Sequence, residues 1–204
     1  MSNIGLCINK RQQIMKRVFD VIFSFTAIII LSPLLLLISL LVLITSGRPI
    51  FYLQNRVGKD RKQFRLIKFR SMVKNADELK VKMFAQNEAT FPYFKIKNDS
   101  RITPIGKFLR KTSLDELPQL FNVLKGDMSI VGVRPVLPEE AVHLEDFRFT
   151  AEAGITGATQ LYRDKKLSLK GISQIEKEYI HRKHKFWGDI LIIFKTFRVV
   201  FKGE

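Results

Sequence analysis

The stretch Val18-Phe-Asp-Val-Ile-Phe-Ser-Phe-Thr-Ala-Ile-Ile-Ile-Leu-Ser32-Pro33-Leu-Leu-Leu-Leu-Ile-Ser-Leu-Leu-Val-Leu-Ile44 decides how this chain folds. As one straight helix, its roughly 27 residues would reach about 40 Å, more than the ~30 Å hydrocarbon core of a bilayer. It is too long for a secretory signal, and no small-residue cleavage pattern follows it. Pro33 stands near its midpoint, where it deletes the hydrogen bond to the Ile29 carbonyl and predicts a sharp bend. Each arm would then span roughly 20 Å, too little to cross alone. The Ser32 hydroxyl is placed to bond back to the Ile28 carbonyl and satisfy a bent backbone in lipid.

The flanks bear on the same choice. Lys10, Arg11, Lys16 and Arg17 precede the segment, and Arg48, Arg56, Lys59, Arg61 and Lys62 follow it. A spanning helix usually concentrates its basic residues on the cytoplasmic side only. A hairpin with both ends on the cytoplasmic face fits this distribution. A Pro-kinked spanning helix stays open on the other ground, because proline is tolerated in membrane helices. Asp20, one turn from Lys16 and Arg17, reads as a member of an interfacial ion pair.

Over the full 204 residues, 35 Lys and Arg against 19 Asp and Glu leave a formal net charge of +16, while the mean hydropathy is +0.02. The two values reconcile because the apolar residues are concentrated in one segment, so the polyanionic partner is an anionic phospholipid surface rather than nucleic acid. The basic residues from Arg56 to Arg70 mostly read as solvated charges facing that surface. One cysteine, Cys7, permits no intramolecular disulfide, and His143, His181 and His184 have no company suited to a metal.

Beyond Gly47, Ile50 to Met72 reads as two short strands around Gly58-Lys59-Asp60. Asn75 to Gln86 has helical spacing, and Asn87 to Asn98 reads as a loop. Helices are expected at about Ile105 to Lys111 and Pro118 to Leu124, the second ended by Gly126. Gly154 to Gly157 reads as a glycine-rich turn followed by two helices. The last helix carries Trp187, Ile190, Leu191, Phe194, Phe197 and Phe201 near one face, a pattern equally suited to a core and to a membrane interface. The fold class is α+β, mainly helical, with an N-terminal basic and membrane segment over 1–47 and a cytosolic, membrane-associated catalytic domain over 48–204.

Asp115 and Glu116 are adjacent acids among Lys107, Arg110, Lys111, Lys125 and Arg134. Ser113-Leu-Asp-Glu116 fits a capping box before Pro118, and taken alone that structural reading comes first. The same residues suit phosphate chemistry. A carboxylate can attack phosphorus or hold a divalent cation, and guanidinium groups pair with phosphate oxygens. Pro135 biases Arg134 toward an extended backbone, and Lys68 adds a further cation.

The run Asn98-Asp-Ser-Arg101-Ile-Thr-Pro-Ile-Gly106-Lys-Phe-Leu-Arg110-Lys-Thr-Ser-Leu-Asp115-Glu116-Leu-Pro-Gln-Leu-Phe-Asn122-Val-Leu-Lys-Gly126-Asp127-Met-Ser resembles the signature of the bacterial sugar transferases, the monotopic phosphoglycosyl transferases. Lys16-Arg17, Asp20, Ser32-Pro33, Gln54-x-Arg56-x-Gly58 and Lys68-Phe-Arg70-Ser-Met match upstream in order. Arg134-Pro135, Gly154-Ile-Thr-Gly157, Tyr179, Asp189 and Thr196 match downstream. The central run is highly specific and the short pieces are weak.

The resemblance implies transfer of a sugar 1-phosphate from a UDP-sugar to undecaprenyl phosphate with release of UMP, at the cytoplasmic face of the bacterial inner membrane. It implies a re-entrant helix broken at Ser32-Pro33, Asp115 as nucleophile, and Mg2+ held by Asp115 and Glu116. Lys68, Arg70, Arg110 and Arg134 would bind phosphate, and Gly154, Gly157, Gln160 and Arg163 would lie near nucleotide or sugar. A homodimer is left open. Val133, Ala153, Ala158-Thr159 and Tyr162-Arg163-Asp164 depart from the family pattern, so the donor sugar is not legible. Larger members carry extra membrane helices before this core, so the chain resembles the small, core-only type. Two other readings compete: a metal-dependent glycosyl transferase that releases UDP, and a basic membrane-surface adaptor whose acids only cap a helix.

Overall fold

A computed structural model describes residues 10–89, 91–94, 96, 98–162, 167–182 and 185–202. The apolar stretch lies within α1 (Lys10–Ser46), a helix with Pro33 inside it. Helical structure continues across Pro33 rather than ending there. Ser32 Oγ donates to Ile29 O at 2.8 Å, not to Ile28, and Ile29 O is the carbonyl that the proline leaves without its N–H. The hydroxyl substitutes for the missing donor and lets the helix continue.

Both halves of α1 pack on the same body. In the first half Phe23, Ala27, Ile28 and Leu31 lie against a core of Leu66, Leu120, Val123, Met128, Ile130, Val131, Ala153 and Ile192. In the second, Ile38 and Val42 are buried with Phe69 and Leu109. Fully burying each such aliphatic side chain contributes about 1.5–3 kcal/mol. The outer face, with Phe25, Ile29, Ile30, Leu36, Leu37, Leu40 and Ile44, is exposed. Among the described residues, α1 is the one helix long and apolar enough to cross a membrane.

The two ends are anchored by polar contacts. Lys16 Nζ donates to Asp189 Oδ2 at 2.7 Å and to Val131 O at 2.8 Å. Arg17 donates to the Val123 and Leu124 carbonyls at 2.6 and 3.0 Å, satisfying the C-terminus of a neighbouring helix. Asp20 is buried and accepts from the Ile130 N–H at 3.0 Å, which corrects its reading as an interfacial ion-pair partner. At the far end Gly47, at φ +73, closes the helix, and Arg70 donates to the Ser46 carbonyl and, at 2.6 Å, to the Gly47 carbonyl.

After α1 comes the expected antiparallel hairpin of β1 (Phe51–Val57) and β2 (Gln63–Phe69), in register from Phe51 opposite Phe69 to Val57 opposite Gln63. Helix α2 (Ala76–Lys82) follows, then α3 (Pro104–Lys111), where Thr103 Oγ1 accepts from the Gly106 N–H and Pro104 opens the first turn. Gly106 lies so close to Ser71 that a Cβ would stand 2.0 Å from its carbonyl oxygen, so α3 can sit here only on a glycine. Helix α4 (Gln119–Lys125) ends at Gly126, φ +101, as the sequence predicts.

Strand β3 (Ser129–Val131), the short helix α5 (Pro138–Ala141) and β4 (Gly154–Thr156) come next, and β4 pairs parallel to β3. The segment read as a glycine-rich turn is thus a strand. A Cβ at Gly154 would meet Gly132 N at 2.1 Å, and one at Gly157 would meet Gly132 O at 1.9 Å, so these glycines serve backbone approach. Helices α6 (Leu169–His181) and α7 (Lys185–Lys202) close the chain. On α7 Ile192 and Asp189 face inward while Trp187, Leu191 and Phe194 are exposed, which favours the interfacial reading. The Phe197 and Phe201 side chains and all of His184 and Arg163 lie outside the described residues.

Candidate active site

Asp115 and Glu116 sit in a 3-10 turn, Leu114–Glu116, between α3 and α4. The expected capping box does not form: Ser113 is left-handed, at φ +56, with no side-chain bond to the turn. Packing replaces it. Leu114 and Leu117 point into the Ile38, Val42, Phe69 and Leu109 cluster, so the turn is held against α1 and β2.

Asn122 supplies the second constraint. Its Oδ1 accepts from Ile67 N at 3.0 Å and its Nδ2 donates to Arg65 O at 2.7 Å, so α4 is stitched to the backbone of β2. β2 also carries Lys68, whose Nζ reaches Glu116 Oε1 at 2.6 Å. Asn122 is only 1% exposed. Its role was missed in the sequence, although two amides, Gln119 and Asn122, spaced three apart beside Leu120 and Val123 on the buried face of α4 were the available signal.

Asp115 is 6% exposed, and its carboxylate takes no hydrogen bond from another side chain among the described residues. Burial, with the neighbouring Glu116 charge, pushes its pKa up to about 6 against the pull of Lys68 and Arg110. Glu116 moves the other way: burial works to raise it, but Lys68, Arg134 and Arg56 outweigh that and hold it below its usual range. Arg110 donates Nε to Ser71 Oγ at 2.9 Å, and its electrostatic reach includes both acids. Arg134 is exposed, and its guanidinium has no hydrogen-bond or ion-pair partner among the described residues, although its carbonyl accepts from Arg148 Nη2 at 3.2 Å; its charge acts on Glu116.

The structure thus gathers Asp115, Glu116, Lys68, Arg110 and Arg134. It does not bring Arg70 with them: that guanidinium is buried against the end of α1 and caps its last carbonyls. Gly154 and Gly157 are spent on the β3–β4 contact, and Gln160 Oε1 accepts from Thr159 Oγ1 at 3.0 Å in the segment that follows β4. Arg56, read in the sequence as a solvated membrane-facing charge, is instead 14% exposed beside this cluster.

The acids offer hard oxygen donors, one carboxylate without a side-chain partner and one with Oε1 on Lys68. No cluster of three or more His, Cys, Asp or Glu suited to a metal occurs among the described residues. That donor set fits Mg2+, which commonly takes one or two carboxylates and completes its shell with substrate phosphates and water.

The sequence profile of the bacterial sugar transferase family matches residues 11–203, and the chain belongs to that family. The chain is 40% identical over 202 residues to an undecaprenyl-phosphate galactose phosphotransferase from Salmonella typhimurium, covering 96% of this chain and 42% of that protein. It is 39% identical over 209 residues to a UDP-glucose:undecaprenyl-phosphate glucose-1-phosphate transferase from Klebsiella pneumoniae, covering 96% and 41%. The exopolysaccharide production protein ExoY from Rhizobium meliloti is 37% identical over 193 residues, covering 91% and 84%. The chain therefore spans about two fifths of the length of the first two relatives and most of the third.

Proposed function

We propose that the protein transfers a sugar 1-phosphate from a UDP-sugar to undecaprenyl phosphate, releasing UMP, as the membrane step that begins a surface glycan. The observation that carries this reading is Asp115: a buried carboxylate that takes no side-chain hydrogen bond among the described residues, within reach of the Lys68 and Arg110 charges, with Arg134 acting on its neighbour Glu116. An Asp oxygen attacks the β-phosphorus, and the bond from that phosphorus to the bridging oxygen breaks. UMP leaves with the electron pair. An oxygen of the lipid phosphate then attacks the aspartyl-bound phosphorus and frees the carboxylate. A pKa near 6 leaves most of Asp115 ionised at neutral pH while its desolvation keeps it nucleophilic. Lys68, Arg110 and Arg134 are placed to offset phosphate charge. Mg2+ would be held by Asp115 and Glu116, and when bound it neutralises charge on the diphosphate.

The membrane arrangement we infer is monotopic, with the catalytic body on the cytoplasmic face of the inner membrane. Lys16 at one end of α1 and Ser46 at the other both bond to the same body. A helix held that way has both ends on one side. The exposed apolar face of α1 and the Trp187, Leu191 and Phe194 face of α7 then meet lipid, where the acceptor's phosphate lies.

The test is nucleotide release by the detergent- or nanodisc-held protein with undecaprenyl phosphate, Mg2+ and a panel of UDP-sugars. UMP release with one donor is expected. UDP release would transfer the assignment to glycosyl transfer, and an Asp115→Asn variant as active as wild type would remove the covalent step.

A further inference from the structure

On β1, Tyr52, Gln54 and Arg56 alternate onto the half-buried face of the hairpin, and the register sets Tyr52 opposite Lys68. Lys68 and Arg56 therefore share one face, about 13 Å apart along the strand at ~3.4 Å per residue. Lys68 ends at Glu116, next to the attacking carboxylate. Arg56 ends at the Pro135 segment, and its charge also acts on Glu116. Its Nη1 donates to Pro135 O at 3.2 Å, immediately after Arg134.

The pairing of Arg56 is unusual for a buried cation. Nε and Nη2 both donate to the neutral Gln54 Oε1, at 3.0 and 2.7 Å. The facing carboxylate, Glu140 Oε2, stays 3.7 Å from Nη1 and accepts instead from the Leu137 N–H at 2.8 Å. Arg56 thus has its direction set by neutral acceptors without a carboxylate hydrogen bond. Beside it stands a second guanidinium, Arg134, whose charge opposes that of Arg56, and both act on Glu116. Arg56 is thus fixed to the residue that follows Arg134, and the Arg134 guanidinium has no hydrogen-bond or ion-pair partner among the described residues; two such guanidiniums on neighbouring backbone suit an anion.

Resting on the phosphosugar-transfer reading, we propose that Arg56, aimed by Gln54, forms with Arg134 the subsite for the nucleotide-side phosphate of the donor, the phosphate that leaves as the nucleoside monophosphate. Lys68 and Arg110 serve the phosphorus that is attacked; Arg56 and Arg134 serve the one that departs. The departing group gains negative charge as the bridging bond breaks, so a guanidinium there favours the transition state as well as the product.

The test is product inhibition of the nanodisc-held full chain by UMP, with uridine as the uncharged probe, in wild type, Arg56→Ala, Arg56→Lys and Gln54→Ala. Arg56→Ala is expected to weaken UMP inhibition about tenfold or more, as for loss of a charge-assisted hydrogen bond, with uridine inhibition unchanged. Arg56→Lys should recover part of the loss, and Gln54→Ala should weaken UMP by a smaller factor. UMP inhibition within about twofold of wild type in a folded Arg56→Ala protein, or in a folded Arg56→Gln protein if the alanine variant does not fold, would overturn the subsite and reduce Arg56 to a strut between β1 and the Pro135 segment. A wild-type enzyme that releases UMP in turnover keeps the functional reading in either case. One that neither releases nor binds UMP sinks that reading and this subsite with it.

Discussion

Two sets of buried acids in this protein differ in one respect. Asp189 receives Lys16, Tyr179 and Arg182, Asp99 receives Arg101 through two nitrogens at 2.8 and 2.6 Å, and Glu176 receives Arg148 at 3.0 and 2.8 Å. Asp115 is as deeply buried and receives no side-chain hydrogen bond among the described residues. The Asp189 and Glu176 pairs join α1 to α7 and the segment before β4 to α6, while Asp99 holds Arg101 two residues on, whose Nη1 then donates to the Ala76 carbonyl at the start of α2 at 3.1 Å. Asp115 instead has only a backbone hydrogen bond and the charges of Lys68 and Arg110 to offset its burial. A buried carboxylate with partners supports architecture; one without them is stored reactivity.

The largest effect expected from this contrast is at Asp115. Asp115→Asn should lower turnover by about 10⁴-fold or more, as for removal of a nucleophile. The same change should stabilise the fold. A folded-state pKa near 6 against 3.8 means that folding penalises the ionised form, and that penalty is on the order of 3 kcal/mol above pH 6. It shrinks as pH falls and is absent below about pH 4, where the carboxylic acid is protonated in both states. Chemical denaturation of wild type and Asp115→Asn at pH 7.5 and at pH 4 checks both the gain and its disappearance. A variant less stable than wild type at pH 7.5 would place Asp115 in the first set and break the comparison.

Asp189→Ala is expected to act in the opposite sense, destabilising by about 3–5 kcal/mol because Lys16 and Arg182 lose a buried counter-charge. The measurement is the denaturation midpoint together with protease accessibility of the first turns of α1, which should rise. Smaller still is the pH dependence of the reaction. The rate at low donor concentration should fall about tenfold per pH unit below the Asp115 pKa of about 6 and level off above it. An acid limb near pH 4 instead would mean that Asp115 is not desolvated in the free enzyme. The smallest change is Ser32→Ala, which removes the hydroxyl that serves Ile29 O and should cost about 1 kcal/mol, read as a modest fall in thermal stability in detergent.

Much of the architecture was legible because it is local. The hairpin, α3, α4 and its Gly126 stop follow from strand alternation, a Thr-Pro start and a left-handed glycine. The errors arose where a local pattern was overruled by distant contacts. Ser113-x-x-Glu116 has the letters of a capping box, but Leu114 and Leu117 draw the turn toward α1 and leave Ser113 left-handed. Gly154 to Gly157 has the composition of a turn, but the need for close approach to Gly132 makes it a strand. Asp20 read as an interfacial ion-pair member, Arg56 as a surface charge and Arg70 as a phosphate ligand because their actual partners, the backbone groups of Ile130, Pro135 and Ser46, carry no charge and lie far away in the sequence.

By itself the sequence determined that an apolar segment lies between basic flanks, that a helix start and a glycine stop bracket the acid turn, and that Asp115 and Glu116 keep basic company. Composition and short-range periodicity act within a few residues, and those features need nothing further. Only the tertiary structure decided which of those charges meet. Asn122 fastens α4 to β2 and so brings Lys68 to Glu116; Lys16 and Arg70 fasten the two ends of α1 to one body. Whether a buried charge finds a side-chain hydrogen bond depends on contacts across the chain, and that accounting separates Asp189, bonded by Lys16, Tyr179 and Arg182, from Asp115, which receives no such bond among the described residues.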